Sequence, residues 1–468
     1  MSATRTALAC LCTLLFFTGS AWAVPQASDF ERAVAVPAPS GAARAAGVRS
    51  LTIDPGRQFE LVGFRWRGDA PRISLRSYGT GGWSPWTALE ANDKDGPDVA
   101  PLTPESSRTA SDPVWTGPSW RLEVRVRGAR VRGFRAHFVH VSGGAAVTPA
   151  STGGVKPGAS VPSAGGKSAT DAPPIVQRAQ WGAKSCKPRH SPGYGEVLAS
   201  VVHHTDSTNT YSQAEAPSVV LGICRYHRNS KGWNDIGYNL LIDRFGTIYE
   251  GRAGGVDKAV IGAHAQGYNS QTTGIALVGT FSNTAPPQAT IDSLRRALEW
   301  KLGLAGVTRN ERVALISTGG GYNRYKWGKT VFTRPIAGHR DLDSTDCPGG
   351  SLYAQLPSLA SFLTGGSRPA TKLSLRLRRT KTEGGGQVVA VSGRLRSGGS
   401  GIAGKTISIE AYMPDGWKPI ATAQSGEGGI WQTQIAPKGR YYLRGTFAGD
   451  DGYRAGRSLW LYSPKLKR

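Results

Sequence analysis

Acidic residues are scarce in this chain: 32 Asp+Glu stand against 57 Lys+Arg in 468 residues, a formal net charge of +25. That shortage excludes an acidic, self-solvating chain and favours polyanionic surroundings. Long apolar runs are also missing. The stretch from Ala7 to Phe17 is too short to cross a bilayer, and no later stretch is longer, so no transmembrane segment is expected. With Arg5 before it and Ala21-Trp22-Ala23 after it, that stretch reads as a secretory signal over residues 1–23. Cysteine is sparse too. Cys10 and Cys12 fall within the signal, leaving Cys186, Cys224 and Cys347. Three thiols in an exported chain leave one that pairs between molecules, stays reduced or binds a metal.

What is present suffices for packed cores. Hydrophobic residues make up 39% of the chain, with 13 Trp, which excludes wholesale disorder. Residues 24–48 are rich in Ala, Pro and Val and read as a flexible lead-in. Residues 49–141 carry strand-like segments between Gly and Pro turns, among them RQFELVGFRW, WRLEVRV and FRAHFVHV, and are expected to form a small β-sandwich. No aromatic residue occurs in 142–171, a Gly/Ser/Ala/Pro linker by composition.

Residues 172–364 mix strands and helices. A strand is expected over 196–203, a helix over 216–229 and a hairpin over 238–251. A buried strand (273–281) and an amphipathic helix (290–304) follow, then a Gly-rich excursion (305–337) and a closing helix (352–363). This is one α/β domain, a mixed β-sheet with helices. A short linker (365–371) leads to residues 372–468, where short alternating strands suit an immunoglobulin-like sandwich. From 366 onward, 18 Lys+Arg face 6 Asp+Glu, a net of +12, so this module is a candidate for adhesion to anionic polymers. The fold class is thus multi-domain: a central α/β domain flanked by two all-β, sandwich-like domains.

Three segments carry candidate chemistry: VVHHT (201–205), GWNDIGYNLLI (232–242) and GHRDLDSTDCPG (338–349). One His at a strand end, with His339 and Cys347 on a turn-rich loop, meets the need of a zinc ion for imidazole and thiolate ligands with one position left open. Two other readings stand on the residues alone. His203 and His204 are core and cap residues beside an inert Cys347, or Cys347 is a nucleophile activated by His339. A nucleic-acid binder would rest on charge alone, without a motif, so no specific nucleic-acid partner is expected.

With RAQWGAK (178–184), GTIYEGR (246–252), GAHAQGYN (262–269) and TGIALVGTF (273–281), these segments make the central domain resemble the peptidoglycan recognition proteins and type-2 N-acetylmuramoyl-L-alanine amidases, the family that includes the phage T7 lysozyme. The resemblance implies a zinc amidase that cuts between N-acetylmuramic acid and L-alanine, with a zinc-bound water as nucleophile. It implies His203, His339 and Cys347 as ligands and Tyr238 as the tyrosine beside the metal. Thr345 stands where the phage enzyme has a catalytic lysine, and with Tyr238 it is a candidate catalytic residue that orients the water or donates to the developing oxyanion. Along the groove for muramic acid and the stem peptide it implies His204, Trp233, Asn234, His264, Tyr268 and Asn269. Asp235, Asp341 and Asp346 are candidates to orient the ligand imidazoles or to cap loops. With Cys347 taken as a ligand on this basis, Cys186 and Cys224 are expected as a disulfide. The alternative is a peptidoglycan-binding protein without catalysis. Location is expected to be extracellular or at the cell wall.

Overall fold

Val201 and Val202 are β-branched strand formers, and Ala199–His204 is a fully buried strand of the central unit. The protein is described here by a computed structural model over residues 24–37, 47–89, 95–98, 109–128, 131–144, 172–364 and 368–466. The expected signal (1–23), most of the 142–171 linker and positions 365–367 lie outside the described residues.

Ala199–His204 pairs in parallel with Thr272–Leu277 on one side and Ile336–Gly338 on the other. Leu240–Ile242 runs parallel to Thr272–Leu277 and forms a hairpin with Ile248–Glu250, as the turn at Asp243 to Gly246 predicts. Ile175–Val176 completes the six-stranded mixed sheet. Strands covered on both faces are continuously apolar, which explains the lack of alternation in TGIALVGTF.

Helix Gln288–Leu304 covers one face, burying Leu294, Ala297, Leu298 and Leu302 against Val202, Ile275 and Leu277. Helix Ala216–Tyr226, opened by Pro217, covers the other and continues into a wider turn at His227–Lys231. The excursion at 305–337 holds an antiparallel ribbon, Val313–Ile316 with Thr330–Thr333. The closing helix is split into Gly350–Tyr353 and Leu356–Leu359; Pro357, lacking an N–H, sits in the first turn of the second piece.

The lead-in expected over 24–48 is corrected by the structure. Gln26–Ala33 is a strand paired antiparallel with Arg132–Ser142, and Val48–Ile53 pairs with Val114–Arg127. Their partners lie about a hundred residues or fewer further on, a distance at which local composition carries no pairing information. The eight-stranded N-terminal sheet has two halves joined by the long strand Val114–Arg127, and residues of both halves share one core around Phe59, Phe64, Leu75, Val124 and Phe138.

This unit is not a loose appendage. Leu61, Trp115 and Val139 lie in the same apolar cluster as Val219, Val220 and Ile223 of the helix Ala216–Tyr226. At Gly63 the approach is so close that a Cβ would meet the Tyr226 hydroxyl at 2.3 Å. The C-terminal unit consists of two five-stranded sheets around Val389, Ile407, Trp431 and Leu443. It meets the central unit through Glu196, bonded to Arg444 and Arg457, and through Glu311, paired with Arg454 and with Arg368 of the linker. Among the described residues, no helix is long and apolar enough to cross a membrane.

Candidate metal centre

Register places the first two site residues together. Val202 pairs with Gly338, so the next residue on each strand, His203 and His339, are neighbours, with ring centroids 4.6 Å apart. After His339 the chain makes a tight turn, His339–Asp341, and returns so that Arg340 N–H donates to Cys347 C=O at 2.9 Å. Cys347 Sγ then lies 3.6 Å from His203 Nδ1. Thr345 Oγ1 accepts from Cys347 N–H at 3.1 Å, supporting that return.

The donor atoms of His203, His339 and Cys347 lie within 4.8 Å of one another. Ligands of a tetrahedral zinc, about 2.0–2.3 Å from the ion, stand about 3.3–3.7 Å apart, and the His203–Cys347 separation of 3.6 Å falls in that range. Burial pushes the His203 imidazole down to about 4, so it is neutral with a lone pair to give. His339 Nδ1 is buried and its one close polar neighbour among the described residues, Asp95 Oδ1 at 3.1 Å, is not aligned as a hydrogen bond. A buried nitrogen without an aligned hydrogen bond is free to give its lone pair to an ion. The residues fit zinc.

Each imidazole is held from behind. His339 Nε2–H donates to Asp343 Oδ2 at 2.8 Å, and His203 Nε2 lies 3.1 Å from His264 Nδ1. Such bonds fix the tautomer and aim the other nitrogen at the metal. Asp343 went unnoticed in the sequence, although it lies inside GHRDLDSTDCPG; nothing there distinguishes it from its neighbours. The three aspartates put forward for the task do other work. Asp235 pairs with Arg178 and caps Ile236 N–H, Asp341 accepts from Tyr353 and Gly338, and the backbone carbonyl of Asp346 accepts from Arg340.

Tyr238 is 3% exposed, its ring 5.3 Å from that of His203. Burial, with Asp95 beside it, raises its hydroxyl well above the usual range, so it is a protonated donor. His264 is fully buried behind His203, packed against Gly274, where a Cβ would meet its ring at 2.4 Å. His204 is buried, and its Nδ1 accepts from Phe281 N–H. Trp233 is buried on His227, and Asn234 holds both the N–H and the C=O of His190. Tyr268 is buried, with its hydroxyl on Asn323, while Asn269 accepts from His264 N–H and Ala265 N–H. Cys186 and Cys224 are joined in a disulfide.

One further residue reaches this centre from outside the central unit. Asp95 Oδ1 lies 3.1 Å from His339 Nδ1 and 3.5 Å from His203 Nδ1, and its Oδ2 accepts from the Tyr238 hydroxyl at 2.5 Å.

A family model described as N-acetylmuramoyl-L-alanine amidase matches residues 193–350, and one described as Rv3811 N-terminal galactose-binding domain-like matches residues 23–158. Peptidoglycan-recognition protein SC2 of Drosophila simulans is 31% identical over 188 residues, covering 40% of this chain and 87% of that one. The N-acetylmuramoyl-L-alanine amidase of Homo sapiens is 30% identical over 210 residues, covering 44% of this chain and 32% of that one. The solved structure of Drosophila PGRP-LB is 27% identical, with a TM-score of 0.31, covering 40% of this chain and 93% of that one.

Proposed function

Since the chain belongs to the peptidoglycan recognition protein and N-acetylmuramoyl-L-alanine amidase family, we propose that it hydrolyses the amide between N-acetylmuramic acid and the L-alanine of the stem peptide. Family membership alone carries peptidoglycan amide hydrolysis or binding. The observation that favours hydrolysis is the convergence of His203, His339 and Cys347 on one point beside the Tyr238 hydroxyl.

His203, His339 and Cys347 would hold zinc. The chemistry zinc supplies when bound is Lewis acidity, which polarises the amide carbonyl and makes water acidic enough to attack near neutral pH. The chain's own groups do the positioning. Asp343 and His264 keep the two imidazoles turned inward. Tyr238, protonated and buried, donates to the oxygen on which negative charge develops. Thr345 holds the backbone that presents Cys347.

In this reading the chain is exported and acts outside the cell or at the wall. Its C-terminal unit contributes attraction to anionic wall polymers through the exposed Arg376, Arg378, Arg379 and Lys381 on strand Arg376–Lys381. The test is mass spectrometry of purified sacculi after incubation with the chain. Released stem peptides with a free L-alanine amine are expected, abolished by a chelator and by Cys347→Ala. Binding to sacculi without release would make the chain a recognition protein instead.

A further inference from the structure

The groove beside the candidate metal centre is filled by the chain itself. Asp95, Gly96, Pro97 and Asp98 of the N-terminal unit are all buried there. Each of them makes contact with a residue of the central unit. Asp98 Oδ1 accepts from Gly267 N–H at 2.7 Å, Asn269 N–H at 3.3 Å and Asn269 Nδ2 at 2.8 Å. Asn269 Nδ2 also donates to Gly96 C=O at 2.8 Å, and Gln266 Nε2 donates to Pro97 C=O at 3.3 Å. At the other end stands Asp95, between the two imidazoles and the Tyr238 phenol.

The distances at Asp95 are those of a ligand rather than of a neighbour. Its Oδ1 is 3.1 Å and 3.5 Å from the two inward-turned nitrogens. The longer falls within the spacing of about 3.3–3.7 Å between ligands on one zinc tetrahedron, and the shorter lies just below it. A fourth protein ligand closes the position that a catalytic site leaves open. A general base would instead stand one water further out.

We propose that Asp95–Asp98 is an intramolecular occupant of the substrate groove. Asp95 takes the open metal position and the Tyr238 donor, and Asp98 takes a carboxylate subsite made by Gly267 N–H and Asn269. The substrate that displaces it brings a carboxylate to that subsite, which an acidic stem peptide does. The segment is anchored by a docked unit, so the displacement is local. Lys231 bonds to Asp112, Arg225 and Asn229 bond to Asp29, and Trp115 N–H donates to Ser207, and none of these contacts involves Asp95–Asp98.

The inference rests on the groove and metal donors of the proposed amidase, and its test separates the two. The zinc-loaded intact chain is compared with Asp95→Ala, Asp98→Ala and the milder Asp98→Asn. One readout is equilibrium binding of the tripeptide L-Ala-γ-D-Glu-diaminopimelate, which lacks the scissile amide. A second is the rate of zinc loss to a chelator, and a third is release from sacculi. Removing an occupant that fills the groove about nine-tenths of the time raises apparent affinity about tenfold. Both alanine variants are therefore expected to bind the tripeptide about tenfold tighter and to cleave faster, with Asp98→Asn shifted the same way. Asp95→Ala also loses zinc faster.

Unchanged tripeptide affinity in all three variants overturns the proposal. Slower cleavage by Asp95→Ala at unchanged affinity also overturns it, and makes Asp95 a catalytic group. Tighter binding without cleavage by any form sustains the occupant and removes the hydrolase. Cleavage by the parent at the variants' rate, with equal affinity, does the reverse.

Discussion

His264 stands directly behind His203, with Nδ1 3.1 Å from Nε2, and so turns the other nitrogen of His203 toward Cys347. With His203 Nδ1 given to the metal, Nε2 carries the proton and His264 Nδ1 accepts it. Replacing His264 by Leu removes the acceptor and frees the ring to rotate. Zinc affinity is expected to fall about 10–100-fold, measured by chelator competition, with His264→Gln recovering part of the loss. Equal affinity in parent and His264→Leu would leave His264 a packing residue.

Tyr238 places a protonated hydroxyl against the candidate metal centre. Tyr238→Phe keeps the ring and loses the donor. Release of stem peptides is expected to slow by about 10²–10³-fold, with zinc content unchanged. A variant that cleaves at the parental rate would take the phenol out of the mechanism.

The C-terminal unit is held by charge that is largely buried. Arg444 is 7% exposed and bonds both Glu196 and Glu410. Burial opposes the charge on Glu196, yet Arg444 and Arg457 keep its carboxyl below the usual range. Glu196→Leu takes the acid from Arg457 and leaves buried Arg444 with Glu410 alone, and is expected to cost about 3 kcal/mol of the C-terminal unit's docking. Earlier unfolding of that unit in a thermal scan, or its easier cleavage by protease, reads the loss. An unaltered melt would mean that apolar packing alone holds the units together.

Lys301 gives a pH dependence away from the metal. Burial pushes its ammonium from the ordinary 10.5 down to about 8, against the weaker pull of Asp257, while Nζ donates to Val256 C=O and Lys258 C=O. Between those two values the unfolded chain keeps a proton that the folded chain has released, so stability contributed by this group rises with pH. Relative to Lys301→Met, the parent is expected to gain up to about 3 kcal/mol between pH 8 and 10.5. A gap that does not change with pH would show that the lysine stays charged where it sits.

The centre was legible wherever its parts lie on short, strongly patterned segments. VVHHT announces a strand that ends in imidazoles, and the Gly, Asp and Pro of GHRDLDSTDCPG announce a turn able to return Cys347 to His339. The sequence did not identify which carboxylate in that turn faces a ring. Asp341, Asp343 and Asp346 have equal local claims, and only the tight turn at His339–Asp341 aims Asp343. That His264 backs His203 was not legible either, because a motif gives order along the chain, not which ring a side chain stands behind. Asp95 was out of reach altogether: it meets Tyr238 across 143 positions, from a segment with no pattern of its own. The strand Gln26–Ala33 was hidden for the same reason, its partner lying about a hundred residues downstream.

His203 is mounted on a strand paired along both edges and covered on both faces. Such backbone opens only when the whole domain opens. Loops around the cleft can therefore exchange, breathe and be trimmed while the metal-binding imidazole keeps its place. On gradual heating, the amide of His203 should exchange only with the slowest amides of the domain, later than those of the loop that carries Cys347.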